Sequence, residues 1–157
     1  MTATRWLGFV GALALLAGCG SVGSKEAALS TAKVRHAVAA QGLSPESVLD
    51  SRTATHADVD RLFPLPADAG RRQSILAARR AVYDLMDLGP EHPVAWLSYA
   101  SFDLYVFGSV SDAEAMENAA TPGDGVTRFA NVAVVPVLGV KPPPRVAAAL
   151  RELSKTK

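Results

Sequence analysis

His56, Asp58 and Asp60 form the densest group of metal-type ligands in the chain, since imidazole nitrogens and carboxylate oxygens are common donors to cations. Their spacing works against a joint site on a helix, where residues two apart lie about 200° around the axis. Thr55 and Asp58 have a simpler use, as a pair that caps a helix. No His-x-x-x-His or Cys-x-x-Cys spacing occurs, so neither a metal nor another cofactor is implied. His36 and His92 are isolated, the first on an alanine-rich stretch and the second before Pro93; both are expected as surface or packing residues rather than acid-base groups. No Gly-x-Ser-x-Gly elbow marks a nucleophile. Gly123-Asp124-Gly125 lacks the Lys-Ser/Thr of a phosphate loop. The residues therefore point to no catalytic constellation.

Two further groups bear on binding. Arg71-Arg72 and Arg79-Arg80 place four cations on one expected helix. A solvated face explains them, and the sharper alternative is a partner surface for lipid headgroups or an anionic envelope component. Trp96, Tyr99, Phe102, Tyr105 and Phe107 crowd one segment. Strand alternation sends them to both faces, leaving either an exposed aromatic patch or two faces covered by helices. Lys141-Pro142-Pro143-Pro144 suits an extended proline segment or the lead into a helix.

Cys19 is the single cysteine, so it has no intramolecular disulfide partner. Before it come one cation, Arg5, and an apolar run from Trp6 to Ala17. That run falls short of the roughly 20 residues a spanning helix requires, and a cation followed by a short apolar run and small residues is the signal-peptide pattern. Leu16-Ala17-Gly18-Cys19 resembles the lipobox of bacterial lipoproteins. The resemblance implies recognition of Leu16, Ala17 and Gly18 by signal peptidase II, removal of residues 1–18, and a diacylglyceryl group on the Cys19 thiol, often with a further acyl chain on its amine. Gly20 rather than an aspartate after the cysteine permits either the cell membrane or an outer membrane. Each buried methylene adds about 0.8 kcal/mol, so two or three chains anchor stably where one does not.

Gly20 to Ser24 is a small flexible tether, and residues 25–157 have the length and composition of one globular domain. The chain's formal charge of +1 includes Arg5, so what remains after residues 1–18 leave is balanced. Balance argues against nucleic acid as a partner and against a polybasic membrane patch.

The elements that must position these residues follow from periodicity. Ala27, Thr31, Val34, Val38 and Gln41 predict a helix over Lys25–Gln41, closed by Gly42. Ser44-Pro45 and Thr55 each open a short helix. Ile75, Ala78, Val82 and Leu85 predict the longest helix, Gly70–Leu88, with Arg80 and Asp84 as an outward pair. Ala95–Ser98 and Phe102–Phe107 form a hairpin. Ser111 with Glu114 opens a helix to about Ala120, Phe129–Val137 is one strand placed centrally, and Val146, Leu150 and Leu153 stripe a terminal helix.

The fold expected is α+β: a small, mainly antiparallel sheet, hairpin plus a further strand, with helices packed on one face and an N-terminal helical segment before it. Phe102–Leu153, with the helix ending Gln41-Gly42-Leu43, resembles small envelope lipoproteins of unknown function, which implies no activity. The functional expectation is a lipid-anchored, noncatalytic envelope module, its partners membrane lipid through acylated Cys19 and an envelope protein. The alternative is a small-molecule or metal binding lipoprotein associated with transport.

Overall fold

The computed structural model describes residues 27–121, 123–137 and 140–155. Five strands form one antiparallel open sheet: β1 (Ser47–Asp50), β2 (Val94–Ser98), β3 (Phe102–Phe107), β4 (Thr127–Phe129) and β5 (Val132–Pro136), in the order β1-β2-β3-β5-β4. Five helices accompany them: α1 (Thr31–Ala39), α2 (His56–Leu62), α3 (Ala69–Met86), α4 (Val110–Ala119) and α5 (Pro144–Lys155). The fold is α+β.

The helices do not lie on one face, as expected from the order of elements, but on both. Val34 and Val38 of α1 and Val146 and Leu150 of α5 pack with Leu97, Leu104, Val106, Val132 and Val134. On the other face, Val59 of α2, Val82 and Leu85 of α3, and Ala113 and Met116 of α4 pack with Trp96, Tyr105, Phe107 and Ala133. The alternation along β3 shows why two layers are needed. Every residue from Phe102 to Phe107 is buried, so each face of this central strand requires a cover. Full burial of one such apolar side chain contributes about 1.5–3 kcal/mol, which a single helical layer would forgo on one side.

Local signals place most helix ends. Ser30 caps α1 by accepting the Lys33 N–H at 3.3 Å, and Asp68 caps α3 by accepting the Arg71 N–H at 2.7 Å. Asp58 accepts the Thr55 N–H at 2.7 Å at the start of α2, as the Thr55–Asp58 pairing requires. The cap of α4 is Ser109, not Ser111, and its partner is Asp112 rather than Glu114. Both serines stand in front of an acid three residues on. Gly108 decides between them: its N–H meets the Pro93 carbonyl at 2.7 Å, which holds the chain in the sheet until Ser109.

Two strand segments differ from expectation. The chain after Ser44-Pro45 is not a helix but β1, paired with β2 from Ser47↔Ser98 to Asp50↔Ala95. Its short Val48-Leu49 run has no helical period to hold it, and pairing with distant residues decides. Phe129–Val137 is not one strand but the hairpin β4–β5, turned at Ala130-Asn131 with Phe129 opposite Val132. Ala130 adopts a φ of 50°, as a two-residue turn with a positive first dihedral requires. β5 is an interior strand, as its apolar run Val132–Val135 implies, and β3 is central.

Candidate functional site

The registers bring the end of β1, the start of β2, the end of β3 and the β4–β5 turn to one pole of the sheet. The N-terminal segment joins the fold there. Asn131, 1% exposed, presents its carboxamide to Leu29: Oδ1 accepts the Leu29 N–H at 2.6 Å and Nδ2 donates to the Leu29 carbonyl at 3.0 Å. Nδ2 also donates to the Phe107 carbonyl, and the Phe107 N–H donates to the Asn131 carbonyl at 2.9 Å. A primary amide has the donor and acceptor pattern of a peptide unit, so one side chain fastens the incoming chain to the sheet.

A cavity of about 260 Å3 lies beside this clamp, lined by residues including Leu29, Ser30, Arg52, Val94, Phe107 and Asn131. Its one charged side chain, Arg52, is already engaged in a fork with Asp50, at 3.0 and 2.7 Å. That contact, opposed by partial burial, holds the Asp50 carboxyl below the usual range. A larger groove of about 450 Å3 runs between β1 and α2, with Asp50, Asp58 and Arg61 among apolar neighbours such as Leu49 and Leu62. It falls within the size range of small-molecule sites.

The strongest acid-base arrangement is at the same pole. His92, isolated in sequence, is not isolated in the structure: its Nδ1 lies 2.9 Å from Asp112 Oδ1. The other Asp112 oxygen accepts the Ser109 hydroxyl at 2.7 Å, and Ser109 Oγ lies 2.9 Å from Ser111 Oγ. A carboxylate at Nδ1 selects the tautomer with a free Nε2, the orientation of a general base. Among the described residues no hydroxyl meets Nε2. Both serines stand on the carboxylate side, where they cap α4. The arrangement can hold a proton but has no nucleophile in place. Spacing could not have revealed it, because His92 and Asp112 lie on opposite sides of a hairpin.

Asp103 is the second group that sequence missed. It alternates with apolar neighbours on β3, is 2% exposed and has an Oδ1 without a hydrogen-bond partner. Burial raises its pKa to about 6, with Ser98 and Trp96 favouring the charged form and Glu46 opposing it. The buried Tyr105 hydroxyl on the same strand face is raised well above its ordinary value, by burial and then by Asp103.

His56, Asp58 and Asp60 separate as the helical geometry requires. His56 stacks on Tyr83 at 4.1 Å and lies 3.4 Å from Asp87. Asp60 accepts the Tyr83 hydroxyl and pairs with Arg79 at 2.8 Å. Among the described residues no three His, Cys, Asp or Glu side chains group to hold a metal ion.

The four arginines also separate. Arg79 turns inward, its side chain 13% exposed, donating to the carbonyls of Phe63 at 2.8 Å and Asp60 at 3.0 Å. Arg80 pairs with Asp84 at 2.9 Å. Arg71 and Arg72 are exposed in the first turn of α3, about 20 Å of helix from the end that leads into β2 at the clamp pole. The aromatic residues of the β2–β3 hairpin are covered, from 1% exposure for Phe102 to 5% for Trp96.

Leu16, Ala17, Gly18 and Cys19 lie outside the described residues. Among the described residues no helix is long and apolar enough to cross a membrane. Compared with known proteins, the chain matches no family model, no curated protein and no solved structure.

Proposed function

We propose that this protein is a lipid-anchored component of the bacterial cell envelope, a noncatalytic interaction module held to a bilayer through acylated Cys19. The observation that carries the reading is Leu16-Ala17-Gly18-Cys19 behind a short cationic and apolar leader. The clamp between Asn131 and Leu29 supports it. Nine residues separate Cys19 from Leu29, and the ten steps between them, at most about 3.6 Å each, keep the clamp pole within about 36 Å of the anchored residue. An anchor there leaves Arg71 and Arg72, on the opposite helical layer, as the cations directed at a second envelope component.

The test is metabolic labelling. Cells fed a tagged fatty acid should label the wild-type protein and leave Cys19→Ser unlabelled. An unlabelled wild-type protein released freely into the medium overturns the reading. The groove beside β1 is the observation that favours a second reading, a small-molecule binding lipoprotein linked to transport. That reading requires ligand-dependent stabilisation in a thermal-shift screen.

A further inference from the structure

The balanced charge of the chain is a sum over two unlike layers. Helices α1 and α5, side by side on one face, carry five cations, Lys33, Arg35, Arg145, Arg151 and Lys155, against one acid, Glu152. All five are exposed. The helices of the other layer carry six acids against five cations. Pairing sharpens the difference. On the second layer Arg61, Arg79 and Arg80 each meet a carboxylate, and Arg128 of β4 reaches Glu114 and Glu117 of α4. On the first, Lys155 pairs with Glu152 at 2.8 Å, and among the described residues no ion pair engages Lys33, Arg35, Arg145 or Arg151. Segregation across the sheet thus gathers exposed cations on one layer that the net charge of the chain conceals.

The position of this face suggests its occupant. Lys33 is in the first turn of α1, directly after the clamped Leu29. Arg151, in the final turns of α5, places its guanidinium 5.9 Å from the Phe129 ring, next to the same β4–β5 turn. The open cations thus begin where the chain arrives from Cys19. Long basic side chains on a helix can lie along a headgroup surface with their charges in the phosphate layer.

We propose that the exposed sides of α1 and α5, where Lys33 and Arg35 flank the buried Val34 and Val38 on either side, dock on anionic phospholipid headgroups, so that the domain rests on this layer against the bilayer. The orientation rests on the lipid-anchor reading. The charge segregation does not. Docking fixes which layer faces outward, namely α2, α3 and α4 with the β1 groove.

Full-length protein purified from membranes is reconstituted with vesicles of phosphatidylcholine alone or enriched in phosphatidylglycerol, and exposed to a water-borne lysine acetylating reagent. Labelling of Lys33 and Lys155 should fall about tenfold on the anionic vesicles relative to the neutral ones, and recover in about 1 M salt, where the screening length shrinks to roughly 3 Å. The triple variant Lys33→Glu, Arg35→Glu, Arg145→Glu alters exposed positions only. With its fold verified by circular dichroism, it should show Lys155 labelling indifferent to lipid charge. Equal labelling of the wild type on both vesicles overturns the proposal, as does protection seen only in native envelope, which would assign the face to an acidic protein. Failure to sediment with neutral vesicles sinks the lipid anchor instead, and the comparison on anionic vesicles still reads the surface.

Discussion

Asn131 holds Leu29 across 102 positions of sequence by both backbone groups, accepting its N–H at 2.6 Å and donating to its carbonyl at 3.0 Å. The contact turns the start of the described chain into part of the sheet. It also makes the position of Leu29 beside the β4–β5 turn a property of the fold.

Asn131→Ala should destabilise the protein by about 2–3 kcal/mol, because it leaves buried backbone groups of Leu29 and Phe107 without partners. Asn131→Asp should be at least as damaging at neutral pH, since it aims a carboxylate at two carbonyl oxygens. Urea titration measures both. Hydrogen exchange at the Leu29 amide should accelerate in the alanine variant well beyond the change at Leu104, which lies deep in the central strand.

Asp103 predicts a pH dependence of known sign. Its folded pKa of about 6 lies above the ordinary value of 3.8, so the folded state binds the proton more tightly than the unfolded one. The stability linked to that proton is complete below the unfolded pKa and is lost as pH rises through about 6. Asp103→Asn should therefore stabilise the fold against urea at pH 8, by up to about 3 kcal/mol, and have little effect at pH 4. An equal change at both pH values would show that the buried charge is not the cause.

The two arginines at 79 and 80 should differ sharply. Arg79→Ala removes three contacts from a nearly buried guanidinium and should cost about 2–3 kcal/mol. Arg80→Ala removes one exposed pair on α3 and should cost a few tenths of about 1 kcal/mol. Chemical denaturation of the two variants side by side checks the ranking.

Ser109 and Asp112 act as one cap. Ser109→Ala should cost about 1 kcal/mol, whereas Ser111→Ala should change stability by less than about 0.5 kcal/mol. A double-mutant cycle between Ser109 and Asp112 should show coupling of at least about 0.5 kcal/mol, consistent with their reciprocal bonds.

Much of the fold is legible in the residues taken alone, wherever a periodic stripe is long. The stripe from Ile75 to Leu85 and the stripe from Val146 to Leu153 specify α3 and α5 because successive turns repeat the same side. Phe102–Phe107 specifies a strand because aromatic and branched residues fill both faces. The resemblance of Leu16-Ala17-Gly18-Cys19 to a lipobox, on which the proposed anchor rests, is equally local, since residue types and their order carry it. What only the tertiary structure decided depends on partners far away in sequence. Val48-Leu49 became a strand because β2 lay beside it, and Ser109 rather than Ser111 became a cap because Gly108 was held by Pro93. Asn131, His92 and Asp103 acquired their roles from Leu29, Asp112 and burial. The charge of the α1–α5 face belongs to the same class. Net charge is additive along a chain, but the field at a surface depends on which helices share a side of the sheet, and sidedness exists only once the chain has folded.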